Sequence, residues 1–319
     1  MITAPEGTRI YAHNATDAFS RGDQSTKDML ERISDVHADV FLITEAYDAT
    51  KDTTHIENVA EDLDNAGYCV NYGRYSEQTR KDQHGYIVGV REGLLVGGFT
   101  TVALATGRLL VQATVVEQSS GREFLYVGGH FGDHKAARTT EVSSFLDRYG
   151  ARLDARQPLV LSGDINNAVD HTLFRAALWL GGTAAQLAFA EKARKQETGE
   201  RQSAIGRVSS LAIRAKGQLD GADIRRLRDE GHLFDANKSH VPTSFVPGLG
   251  PLEKVVERMP VLRDWLLRQP HIEADHIMAN VGAIVDFRTY QALANDEHLG
   301  IAATYQLVRY TNHSAGRIV

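Results

Sequence analysis

The stretch PLVLSGDINN, Pro158 to Asn167, sets an apolar run against a glycine, a carboxylate and two amides. Leu159, Val160 and Leu161 read as a buried strand, and such a strand has no use for polar side chains until it leaves the sheet. Asp164 and Asn166 stand at that exit, two apart, so an extended backbone points both side chains the same way. Together they can hold one bound group, with Gly163 letting it approach the backbone. The same residue types also make an ordinary Asx turn. The pattern recurs along the chain. Asn14 ends RIYAHNA, Glu45 ends DVFLITEA and His130 ends FLYVGGH. Asp275 begins DHIMAN, and Asp296, Glu297 and His298 precede LGIAA. Taken singly, Glu45 can begin a loop, His130 can be a hydrogen-bonded core histidine and Asp296 can sit in a turn. Taken together, they are hard oxygen ligands, amides and imidazoles at strand ends, where α/β proteins place sites. Carboxylates suit Mg²⁺, Mn²⁺ or Ca²⁺, and histidines beside such a cation suit proton transfer or contact with an anion. Hydrolysis of a phosphate ester needs these parts together.

The elements that must position these residues are short apolar strands separated by helical patterns. Strands are expected in RIYAHNA, DVFLITEA, YIVGV, LLVQATVVEQ, FLYVGGHF, PLVLSGDIN, DHIMAN and LGIAATYQLV. Helices are expected at about 25–35, 53–66, 136–155, 169–178 and 252–267. This is an α/β pattern, with one or two sheets covered by helices. The segment from 181 to about 230 breaks the rhythm and reads as a charged helical insertion in a single domain of residues 1–319. Its Arg194, Lys195, Arg201, Arg207, Arg214, Lys216, Arg225, Arg226 and Arg228 can form a basic rim for a phosphate backbone. Interleaved Asp and Glu support a plain solvated helix face equally well.

Composition narrows the classes. Apolar content of 42% and charged content of 24% are those of a globular protein. A net charge of −6 argues against a generally basic, nucleic-acid-coating surface. One cysteine, Cys69, excludes an intrachain disulfide and a cysteine-rich zinc site. No HExxH spacing appears among the 13 histidines, which weighs against a zinc hydrolase. With neither an apolar leader nor a membrane-length run, the expectation is a cytoplasmic protein with no membrane association.

In order, YAHNA, LITEA, VGGHFGDH, LSGDINN, EADHIMAN and NDEHLGI resemble the endonuclease/exonuclease/phosphatase superfamily, also called DNase I-like, across nearly the whole chain. GHLFDANKSHVPTSF resembles the same family's Asp-containing strand. The resemblance implies a four-layer α/β sandwich of two packed mixed β-sheets flanked by helices. It implies a Mg²⁺- or Mn²⁺-dependent phosphoesterase, a nuclease or nucleotide phosphodiesterase, whose phosphoester substrate is DNA, RNA or a nucleotide, with no obligate protein partner. The alternatives are a phosphatase or phosphodiesterase on a small molecule or lipid head group, and a catalytically silent binding module of the same fold. Carried over by position, Glu45 is the principal metal ligand and Asn14 positions metal or phosphate. Asp164 orients or deprotonates water, Asn166 and His130 contact the phosphate, and His298 pairs with Asp275. Arg108 and Arg138 are further substrate contacts. The final motif departs from the family's Ser-Asp-His, so either Glu297 or Asp296 is the C-terminal ligand.

Overall fold

The computed structural model describes residues 7–15, 18–20, 23–49, 54–75, 84–132, 135–166, 221–238, 275–291 and 298–307. Two βαβ units organise it. In the first, β1 (Thr8–Asn14) runs into helix α1 (Asp23–Val36) and then β2 (Val40–Asp48), which lies parallel to β1. In the second, β7 (Glu123–His130) runs into α3 (Lys135–Asp154) and then β8 (Leu159–Asp164), parallel to β7. A helix between parallel neighbours is the ordinary way to return the chain to the same edge.

Around these pairs the sheets are completed by antiparallel neighbours. The remaining strands are β3 (Tyr68–Arg74), β4 (His84–Arg91), β5 (Leu95–Ala103), β6 (Leu109–Val116), β9 (Phe234–Asp235), β10 (Asp275–Ala279), β11 (Ala283–Tyr290) and β12 (Gly300–Gln306). One sheet has the order β11-β12-β1-β2-β4-β3 and the other β5-β6-β7-β8-β10-β9. Among the described residues both are mixed sheets of six strands.

Three buried clusters separate the layers. Ile10, Ala12, Leu42 and Val88 of one sheet pack on Val111, Tyr126, Val160 and Ile277 of the other. Outside the first sheet, Met29, Ile33 and Val36 of α1 and Ile56, Val59 and Leu63 of α2 (Thr54–Asn65) pack on Tyr11, Phe41 and Ile43. Outside the second, Val142, Phe145, Tyr149 and Leu153 of α3 cover Val127, Leu159 and Leu161. The spacing of these helical residues is that of one apolar face. The result is the expected four-layer α/β sandwich.

Most of the expected insertion at about 181–230 lies outside the described residues. Its described end is α4 (Ala222–Asp229), whose Ile224 and Leu227 belong to the cluster under α3. This helix is core, not an appendage. Its bases are paired locally, Arg226 with Glu230 and Arg228 with Asp229, as a solvated helix face arranges them. The rest of the segment and the helices expected at 169–178 and 252–267 lie outside the described residues. Among the described residues no helix is long and apolar enough to cross a membrane.

Candidate active site

The inward faces of the two sheets end in polar residues. Asn14 follows Ile10 and Ala12 on one face of β1, Asp164 follows Val160 on β8, and Asp275 precedes Ile277 and Ala279 on β10. Alternation along each strand therefore carries the polar side chain to the edge of the same apolar layer. Register completes the alignment. Asp164 lies between His130 of β7 and Asp275 of β10, directly opposite both.

Asp164 is the hub. Its Oδ2 accepts from Asn14 Nδ2 at 2.9 Å, joining the two sheets. The same oxygen lies 3.5 Å from His130 Nε2 and 4.0 Å from His298 Nε2. Its Oδ1 accepts from the Asn166 amide at 2.7 Å, closing an Asx turn. GDIN thus forms the Asx turn with one carboxylate oxygen and turns the other toward Asn14, His130 and His298. Gly163 has φ 130°, and a Cβ there would lie 2.0 Å from the Gly129 carbonyl oxygen, so only glycine lets β7 and β8 approach here.

His298 Nδ1 is 2.7 Å from Asp275 Oδ2, the expected pair. Glu45 is brought in by an irregularity: the β2–β4 register shifts between Ile43 and Tyr47, and Glu45 has φ 47°. A left-handed glutamate costs free energy, and a bulge is a common way to redirect a side chain beside a site. Glu45 Oε1 stands 3.6 Å from His130 Nε2.

Burial gives the ionisable groups different charges. Asp164 is pushed up to about 7, by burial first and by Asp275, against the opposing pull of His298 and Asn14. Burial also opposes charge on His298, yet the carboxylates of Asp275, Asp164 and Glu45 outweigh it and raise the imidazole to about 10. His130 goes the other way. Burial, with Arg108, His298 and His84 nearby, holds it well below the usual imidazole range. One buried histidine is cationic and the other neutral.

The Asn166 side-chain Nδ2 lies 2.9 Å from His130 Nε2 and 2.8 Å from the Phe131 carbonyl oxygen. With Asn166 in this orientation its two Nδ2 hydrogens point at both, which assigns Nε2 of a neutral His130 as acceptor and the ring proton to Nδ1, a nitrogen with no partner among the described residues. In this arrangement Asn166 and His130 hold each other.

The two arginines expected as substrate contacts are bonded to protein groups in this structure. Arg138 is wholly buried, with Nε 2.9 Å from Asp223 Oδ2 and Nη1 2.8 Å from the Asn166 carbonyl oxygen. Arg108 donates to the His130 carbonyl at 3.2 Å and lies 3.5 Å from Glu141. Both guanidiniums support the backbone from behind, because each is committed to a buried carboxylate. Asp296 and Glu297 lie outside the described residues.

Sequence reading missed three side chains here. Tyr75 is buried with its ring edge-on to His130 at 5.5 Å, and its hydroxyl has no hydrogen-bond partner among the described residues. His84, at the start of β4, acts on His130 through its charge. Glu141 lies buried beneath the end of β7. Tyr75 follows a strand with no apolar pattern and Glu141 sits in a mostly polar helix, so neither gave a signal.

The donor set fits a divalent cation. Asp164, Asp275 and His298 each offer a ligand atom within 4.8 Å of the others and could hold a metal ion. Hard oxygen donors such as those of Glu45, Asp164 and Asn14 suit Mg²⁺ or Mn²⁺.

No family model matches the sequence, and no curated protein matches it. Solved structures do match. The human Nocturnin catalytic domain with bound sulfate is 13% identical, with a TM-score of 0.57 over 96% of both chains. An endonuclease/exonuclease/phosphatase family protein from Leptotrichia buccalis is 14% identical, with a TM-score of 0.56 over 94% of this chain and 99% of that one. An AP endonuclease from Archaeoglobus fulgidus is 14% identical, with a TM-score of 0.52 over 93% and 99%. The chain has the fold of the endonuclease/exonuclease/phosphatase proteins, the DNase I-like fold.

Proposed function

We propose that this protein is a divalent-metal-dependent phosphoesterase that hydrolyses a phosphodiester by attack of water, in the class of nucleases and nucleotide phosphodiesterases. One observation carries the reading: a buried carboxylate, Asp164, lies between a neutral imidazole and a cationic one, and from the opposite sheet Asn14 reaches Asp164 while Glu45 reaches His130. The fold alone would not carry it, since one fold hosts many chemistries. Supporting the substrate class, the AP endonuclease that shares the fold is a nuclease by name.

Asp164 orients and deprotonates the attacking water through Oδ2, while the Asn166 amide fixes Oδ1. A base works best when its pKa lies near the operating pH, and Asp164 sits at about 7. His298, kept cationic by Asp275, offers Nε2–H to a phosphoryl or leaving oxygen as negative charge develops. Glu45, with Asn14, would hold the metal, which when bound supplies charge neutralisation at the phosphoryl oxygens.

The test is a screen of purified protein with Mg²⁺ or Mn²⁺ against plasmid DNA, single-stranded DNA, RNA, dinucleotides and a chromogenic phosphodiester. Hydrolysis of at least one, lost on chelation, is the expected result. In a parallel assay with a chromogenic phosphomonoester, hydrolysis of that ester alone would move the protein to the phosphatase class, and no turnover of either ester class would favour the silent binding module.

A further inference from the structure

Helix α3 carries two ions in its buried stripe, Arg138 and Glu141, one turn apart, 0% and 1% exposed. Such burial costs several kcal/mol per ion even when paired, and apolar side chains of similar size often pack as well or better. The ions are explained by what they grip. Arg138 is anchored by Asp223 of α4, itself buried and held by Thr139 Oγ1 at 3.0 Å, and donates to the Asn166 carbonyl. Glu141 accepts from the Gly132 amide at 2.6 Å and from Thr106 Oγ1 at 2.6 Å, and it pairs with Arg108, which donates to the His130 carbonyl. Each ion ends on a backbone group at the exit of β7 or β8, the two strands that deliver His130 and Asp164.

We infer that Arg138 and Asp223 are positioning residues for Asp164, acting through the Asn166 peptide; the claim rests on the proposed function in so far as Asp164 handles the water. Asn166 has φ 52°, a left-handed conformation that a residue other than glycine keeps only when its surroundings enforce it. Its carbonyl is gripped by Arg138, its amide donates to Asp164 Oδ1, and its side chain ties His130 to Phe131. Without the grip the turn relaxes and Oδ1 loses its fixed donor, leaving the carboxylate held through Oδ2 by Asn14 alone. Displacements of this order can cost ~10²-fold in rate.

The experiment removes both charges together, so that neither is left buried alone: Arg138→Met with Asp223→Leu. Circular dichroism and thermal melting report the fold. Two readouts report position: kcat and KM on the phosphodiester that wild type hydrolyses with Mg²⁺, and long-range ¹⁵N–¹H spectra of the imidazoles, with His130→Gln to assign the His130 signals. The expected result is a folded protein whose kcat falls ~10- to 10²-fold with KM nearly constant, and a His130 signal that no longer shows a single Nδ1–H tautomer. A folded double variant with wild-type kcat and an unchanged His130 spectrum overturns the inference. So does a raised KM at constant kcat, which would make Arg138 a ground-state substrate contact. If the double variant does not fold, Asp223→Asn replaces it, with a several-fold loss in kcat expected and an unchanged kcat overturning the claim. If wild type hydrolyses nothing, the proposed function fails, while the His130 spectrum still decides whether the grip sets the turn.

Discussion

Strand β10 carries two Asp–His pairs in succession, and they behave differently. Asp275 faces the layer between the sheets and bonds His298; His276, the next residue, faces the helices and bonds Asp235 of β9. Both histidines are buried beside a carboxylate. The first pair has a third party, since His298 Nε2 looks toward Asp164 at 4.0 Å, near Glu45. The second pair ties a two-residue edge strand to the sheet. An Asp–His pair is therefore a strut by default, and it acquires chemistry from what its outer nitrogen faces.

The widest separation should come from mutation. With fold confirmed by circular dichroism, His298→Ala should lose ~10²–10⁴ in turnover, the usual worth of a positioned proton-transfer group. His276→Gln should leave kcat near wild type and cost ~1–3 kcal/mol in denaturant unfolding, because it weakens a buried imidazole's bond to the partly buried Asp235. Equal losses of turnover in both folded variants would erase the distinction between the pairs.

Metal binding gives a second separation. Calorimetry should show Mg²⁺ or Mn²⁺ binding lost in Glu45→Ala and retained in His276→Gln. Retention in Glu45→Ala would move the metal to Asp164, Asp275 and His298 alone.

The smallest effect is in stability against pH for the metal-free protein. His298 rises from 6.5 to about 10 on folding, so its contribution is full below 6.5 and lost as pH climbs through 10. Asp164 rises from 3.8 to about 7, so folding favours its protonated form and that contribution fades between those values as pH rises. Thermal melting should therefore fall from mildly acidic pH toward 10, and His298→Gln should remove the alkaline part of the fall. An alkaline slope that survives in His298→Gln would assign it to another group.

What was legible in the sequence follows from where each strand sits. Every strand read from the apolar pattern is an interior one in its sheet, and most are buried along nearly their whole length, as in PLVLSGD and DVFLITEA. The pattern missed β3, β5 and β11, all sheet edges, and β9, the fourth edge, was reached only through the family resemblance. YCVNYGR, LVGGFTTVA and AIVDFRTY are only partly buried and carry Gly, Asn, Asp and Arg, so continuous hydrophobicity could not mark them. The site was legible for the converse reason: a carboxylate or imidazole closing an apolar run is conspicuous. Its supports were not, since Arg138, Glu141 and Asp223 lie in helices whose exposed faces are equally charged, and only packing shows which charges turn inward.

The central claim, that Asp164 handles the water of a phosphodiester hydrolysis, is tested most directly by one pair of initial rates. Wild type and Asp164→Asn are compared on the best phosphodiester of the screen with saturating Mg²⁺ or Mn²⁺. The substitution keeps the size of the side chain and removes its charge. The account predicts a folded variant slower by ~10²–10⁴. Near-wild-type turnover in a folded Asp164→Asn would contradict it and leave GDINN as a turn.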